Sequence, residues 1–163
     1  MVYVKSRQSQ ALWSNTLGLL VLVAAVPAVG ALSDRIGRKP LLLAACAAFL
    51  LLPYPLLAVL LSSPSLPIAI AVQVLFALAL ALFSGPGPAA IAEIFPTHMR
   101  STWMSIGYSL AVALFGGFAP YVATWLIART GSPLAPTWYV MGAAVVSAIT
   151  IATLKETAHE ELK

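Results

Sequence analysis

Between Lys39 and Glu93 the chain runs for 53 residues without a charged side chain. Nothing else in the sequence limits its fold as much. Residues 8–33, 101–128 and 130–154 are uncharged as well. A crossing of the hydrocarbon layer needs about 20 apolar residues. One helix filling the long gap would reach ~80 Å, against a hydrocarbon layer of ~30 Å, so that gap must hold two crossings. Only 9% of the residues are charged and 61% are apolar, where soluble domains carry about 25% and 45–50%. An ordinary soluble enzyme, a disordered chain and a coiled coil are all excluded. The apolar runs are continuous, do not alternate, and are dominated by Ala and Leu, which points to helices and away from a barrel.

Five spans follow, at about 12–32, 40–62, 66–90, 101–128 and 134–154, in a single unit over 1–163. The breaks fall at Ser62-Ser63-Pro64-Ser65 and Thr130-Gly131-Ser132-Pro133, where turn-forming residues are dense. Lys5 and Arg7 before an apolar run also fit the start of a secretory leader, but the run is long for one and four more spans follow. The single Cys46 cannot form an internal disulfide and reads as a small core- or lipid-facing side chain.

The net charge of +4 is spread over span ends and forms no continuous face, so nucleic acid is not an expected partner. Arg35, Arg38, Lys39, Arg100, Lys155 and Lys163 fall on one side of the membrane; Lys5, Arg7 and Arg129 fall on the other. The positive-inside bias places the first group, and the C-terminus, in the cytoplasm.

The loop after the first span reads Gly30-Ala31-Leu32-Ser33-Asp34-Arg35-Ile36-Gly37-Arg38-Lys39-Pro40. Gly37 permits a tight reversal between two helices that stay close. Asp34 can face an arginine or a helix N-terminus, and Arg35, Arg38 and Lys39 can hold carboxylates or the phosphates of membrane lipid. This segment resembles the G-x-x-x-D-R-x-G-R-R/K loop of the major facilitator superfamily, which joins the second and third helices of each six-helix half. Two spans later, Glu93-Ile94-Phe95-Pro96-Thr97-His98-Met99-Arg100 resembles the E-x-F-P-x-x-x-R segment between the fourth and fifth helices of such a half. Glu93, Pro96 and Arg100 then share a membrane face with the first loop, and Glu93 is expected to pair with Arg35 or Arg38. Further on, the stretch from Ser105 to Pro120, with Ala123-Thr124-Trp125-Leu126-Ile127 and Lys155-Glu156-Thr157-Ala158, is similar to metabolite:proton symporters of the proline/betaine, di- and tricarboxylate and shikimate type.

The resemblance implies an all-α membrane protein whose spans correspond to helices 8–12 of a twelve-helix fold. It implies a small-molecule solute, a proton as coupling ion, a plasma or inner-membrane location and a missing N-terminal half as partner. Five spans with an outward N-terminus look like a six-helix half without its first helix. Facilitators of another family, such as a sugar porter or drug exporter, and a small membrane protein acting only as an oligomer or interaction subunit are the other readings.

Inside the spans, Ser105, Ser109, Ala113 and Gly117 recur every four residues and make a small-residue ridge suited to close helix packing. Gln73, Tyr108 and Ser109 are candidates to line a cavity. Gly116, Gly117 and Pro120 weaken a helix near mid-membrane, and Ser84-Gly85-Pro86-Gly87-Pro88 reads either as a flexible gate or as the end of a helix. No Asp, Glu, Lys, Arg or His lies deep in a span. Membrane proton relays are built on such groups, so a coupling carboxylate belongs outside this segment. There is no metal-ligand spacing, nucleophile–base pair or phosphate loop, so neither a cofactor nor catalysis is expected.

Overall fold

The computed structural model describes residues 2–94 and 100–154, with side chains over 12–93 and 101–154. No strand occurs among the described residues. The helices are α1 (Val2–Ile36), α2 (Arg38–Leu51), α3 (Pro53–Ser62), α4 (Leu66–Ser84), α5 (Gly87–Ile94), α6 (Arg100–Ala111), α7 (Gly117–Thr130) and α8 (Ala135–Thr153), with a π-helical segment, Val112–Gly116, between α6 and α7. They group into five segments long and apolar enough to cross a membrane: Leu12–Ile36, Arg38–Ser62, Leu66–Glu93, Ser101–Thr130 and Ala135–Thr153. The first is continuous with a helix that begins at Val2, ten residues before the span expected from hydropathy.

The three middle spans are each interrupted, for a local reason. In the second, Pro53 has no N–H for the carbonyl of Phe49, and the α-helix lapses at Leu52. Leu52 keeps helical dihedrals and the Leu56 N–H reaches its carbonyl at 3.1 Å, so the span is nicked and not turned. The sequence reading treats this span as one helix and passes over that proline. In the third span, Gly85 still donates to Ala81 at 2.9 Å, Pro86 and Pro88 then withhold two donors, and Ala90 resumes the ladder by donating to Pro86 at 2.9 Å. The Gly-Pro-Gly-Pro segment is therefore an interruption inside a span that runs on through Glu93, and not its end. In the fourth, the Gly117 N–H bonds to Val112, five residues back. This widened turn precedes Pro120, which cannot donate to Gly116.

Packing is organised in pairs. The first and third spans lie against each other. A Cβ placed on Gly18 would stand 3.3 Å from the Cβ of Gln73, and one placed on Gly85 would stand 2.9 Å from the backbone nitrogen of Gly30. Both contacts join residues 55 positions apart, so the two spans run parallel in a fixed register over 12 residues, ~18 Å of helix. The second and fifth spans are antiparallel and enclose the small core of Leu42, Cys46 and Ile151, with Leu43, Ala90 and Ala148 against it. In lipid there is no hydrophobic drive to bring apolar helices together, and close approach across small side chains holds the bundle instead. Ala77, Ala79 and Ala81 of α4 and Ala45 of α2 are buried accordingly, while large residues such as Leu20, Leu61 and Ile149 face outward. No residue of the fourth span is buried. Hydroxyls within the spans return to their own helix: Thr16 donates to Leu12, Thr124 to Pro120 and Thr150 to Val146, at 2.9–3.0 Å.

Candidate functional site

The reversal between α1 and α2 is made by one residue. Gly37 has φ 109° and ψ 156°, a conformation that side chains rarely adopt. Its N–H donates to Ser33 at 2.9 Å, and the buried Ser33 hydroxyl donates to Gly30 at 2.7 Å. The end of α1 is thus held shut on itself, and α2 starts at once with Arg38 and Lys39.

Those two residues reach different spans. The Arg38 guanidinium donates to Glu93 across a 2.8 Å ion pair, and its second carboxylate, Asp34, lies 3.5 Å away, four residues back across the Gly37 reversal. The Arg38 and Glu93 side chains are each 14% exposed, whereas Asp34 is 67% exposed. The pairing expected for Glu93 is formed, with Arg38 as the partner. Arg35 stays exposed. A carboxylate beside the first residue of α2 also meets the positive end of that helix's dipole. Lys39 does something the sequence reading misses: its ammonium donates to the carbonyls of Ala152 and Leu154, at 2.8 and 2.7 Å, at the end of α8. The start of α2 therefore clasps the ends of the third and fifth spans at one end of the bundle, beside the turn from the first.

The candidates of the second loop are placed only in part. Pro96 lies outside the described residues. Arg100 opens α6 at this same end, and its side chain lies outside them too. Gly30 has open space around its own Cβ direction; the demanding glycine is Gly85, pressed against the Gly30 backbone, and its role in packing was masked in the sequence by the prolines beside it.

Of the three cavity candidates, Tyr108 lines a groove between two spans. This groove of about 880 Å³ separates the third and fourth spans, walled by Phe83, Ser84, Trp103, Tyr108 and Phe115 among others. Ser109 is exposed and outside its wall, and Gln73 is wedged against Gly18 in the seam of the first and third spans. The groove's rim includes Gly87 and Pro88, at the interruption of the third span, and Val112 and Gly116 of the π segment. At the opposite end of the bundle, the Arg129 guanidinium lies over the Trp125 ring at 5.9 Å, a cation–π contact. No group of three or more metal-ligating side chains is found among the described residues.

Five apolar helical spans around a charged hairpin clasp define an integral, multi-pass membrane protein. Residues 4–162 match the Major Facilitator Superfamily, and the chain belongs to that family. It is 32% identical over 171 positions to a proline/betaine transporter of Escherichia coli K12, covering 100% of this chain and 34% of the relative. It is 34% identical over 137 positions to a citrate-proton symporter of Klebsiella pneumoniae, covering 81% of this chain and 31% of the relative. An ectoine/proline transporter of Corynebacterium glutamicum is 31% identical over 144 positions, 88% of this chain and 28% of the relative. The chain thus spans about a third of the length of the curated relatives it matches. No solved structure gives a significant match.

Proposed function

We propose that this chain is part of a secondary active transporter that carries a small polar metabolite across the plasma or inner membrane by alternating access. A proton is the coupling ion, the C-terminus is cytoplasmic, and the remaining partner is the transporter's N-terminal half. The observation that carries the reading is the likeness, over the whole of this chain and 34% of the relative, to a proline/betaine transporter. The spans correspond to helices 8–12 of the twelve-helix fold, and the clasp of Arg38 and Glu93 lies at the inner gate. With that gate closed, the pair of 2.8 Å holds the end of α5 against α2. Opening loosens it, while the exposed Asp34 is free to face the other half. Rocking of two halves about a midplane site supplies the access change.

Uptake by the transporter that carries this sequence, reconstituted in proteoliposomes, tests the reading. With the interior alkaline, proline, glycine betaine or citrate is expected to accumulate against its gradient, and a protonophore should abolish the accumulation. Uptake indifferent to the protonophore would overturn proton coupling, and entry of none of the three would overturn the solute class. For orientation, a fluorescent protein fused after Lys163 is expected to glow, while alkaline phosphatase at the same site stays inactive. The opposite pair of signals would invert the topology.

A further inference from the structure

Lys39 occupies the second position of α2, the positive end of that helix's dipole, where a cation is unfavourable. What offsets this is the other helix. The fifth span is antiparallel to the second, so the negative end of α8 lies beside the start of α2. The ammonium supplies donors to the carbonyls of Ala152 and Leu154, groups that a helix end leaves without intrahelical partners. At Leu154 the backbone turns extended, with φ −73° and ψ 149°. The bonded lysine and the end of the helix coincide.

Resting on the transport reading above, we infer that Lys39 is a positioning residue: it caps the fifth span from the second, so that spans two, three and five move as one piece when the gate works. The Arg-Lys pair divides the labour. Arg38 meets both of its carboxylates through Nη2 of its guanidinium, and Lys39 has the compact ammonium that can sit between two carbonyls. The bonds of that ammonium to main-chain oxygens 113 and 115 residues away are what tie the second span to the fifth.

Hydrogen exchange on the transporter in lipid nanodiscs separates this role from general loosening. In Lys39→Met the amides of residues 150–154 are expected to exchange roughly tenfold faster, the scale of losing a charged helix cap. Those of α4 and of the upper turns of α8 should hold their rates. Lys39→Arg, which keeps donors, should restore most of the protection. Glu93→Gln should leave residues 150–154 as in the parent. Turnover in Lys39→Met should fall several-fold with the KM for solute unchanged. Unchanged exchange at 150–154, or a rise equal throughout the bundle, would overturn the cap. Faster exchange there with normal turnover would overturn the joint movement. A parent transporter inactive on every solute would sink the transport reading, and the exchange experiment would still decide the cap.

Discussion

Replacing Arg38 by alanine is expected to slow solute turnover by tenfold or more while leaving the order of preferred solutes unchanged. The Glu93 carboxylate would then sit 14% exposed without the guanidinium it now meets at 2.8 Å. Removing one partner of a fully buried pair costs ~3–5 kcal/mol, and an exposed pair is worth ~0–1 kcal/mol. This pair lies between the two, at roughly 1–3 kcal/mol by interpolation. A shift of that size in the equilibrium between two gate states changes their ratio about 5–150-fold. Glu93→Gln should act in the same direction with a smaller effect. The double variant Arg38→Ala with Glu93→Gln should be no slower than Arg38→Ala alone, because both remove one interaction. Initial rates of uptake and competition by unlabelled solutes read both quantities. A variant that keeps its rate and exchanges one solute for another would place Arg38 at the binding site instead of the gate.

The second large effect concerns assembly. Gly85→Val should lower the thermal midpoint of the detergent-solubilised transporter by roughly 2–12 °C, given overpacking costs of ~1–3 kcal/mol and ~2–4 °C per kcal/mol. The reason is specific: a Cβ there meets the Gly30 backbone nitrogen at 2.9 Å and the Val29 side chain at 3.0 Å. Backbone cannot swing aside as a side chain does. Gly30→Ala is the informative contrast, since its Cβ meets nothing within 4 Å. Within these spans it should be tolerated. Equal destabilisation by both substitutions would mean that the parallel seam of the first and third spans is not what Gly85 protects.

Much of this architecture was legible because the membrane enforces it. Charges are expensive in hydrocarbon, so the gaps between them outline the crossings, and Gly37 announced its reversal because only a residue without a side chain fits a φ of 109°. That Glu93 would meet Arg35 or Arg38 was legible by the same logic, since all three flank long apolar runs and two crossings bring them to one face, but which arginine it meets was not. What remained hidden depends on distance in sequence or on the detail of a single turn. The Lys39 bonds reach across more than a hundred residues, and no local pattern encodes which helix end will lie beside that ammonium. Gly85 stood next to two prolines and read as an interruption, whereas its contact with Gly30 needed the register of the parallel spans. Gly116, Gly117 and Pro120 did point to a weak place in the fourth span, but i→i+5 bonding has no compositional signature of its own.

That widened turn also changes how the fourth span's surface is laid out. On a regular α-helix, residues four apart drift by about 40° per step, so a row of four would spiral through about 120°. The π segment inserts one residue into the winding, which takes back about 100° for everything beyond it. Ser105, Ser109 and Gly117 consequently stand within about 40° of a single line, with Ala113 in the segment that makes the correction. All four are exposed. The span presents a nearly straight track of small side chains, ~18 Å long, where its sequence spacing alone would have wound that track a third of the way around the cylinder.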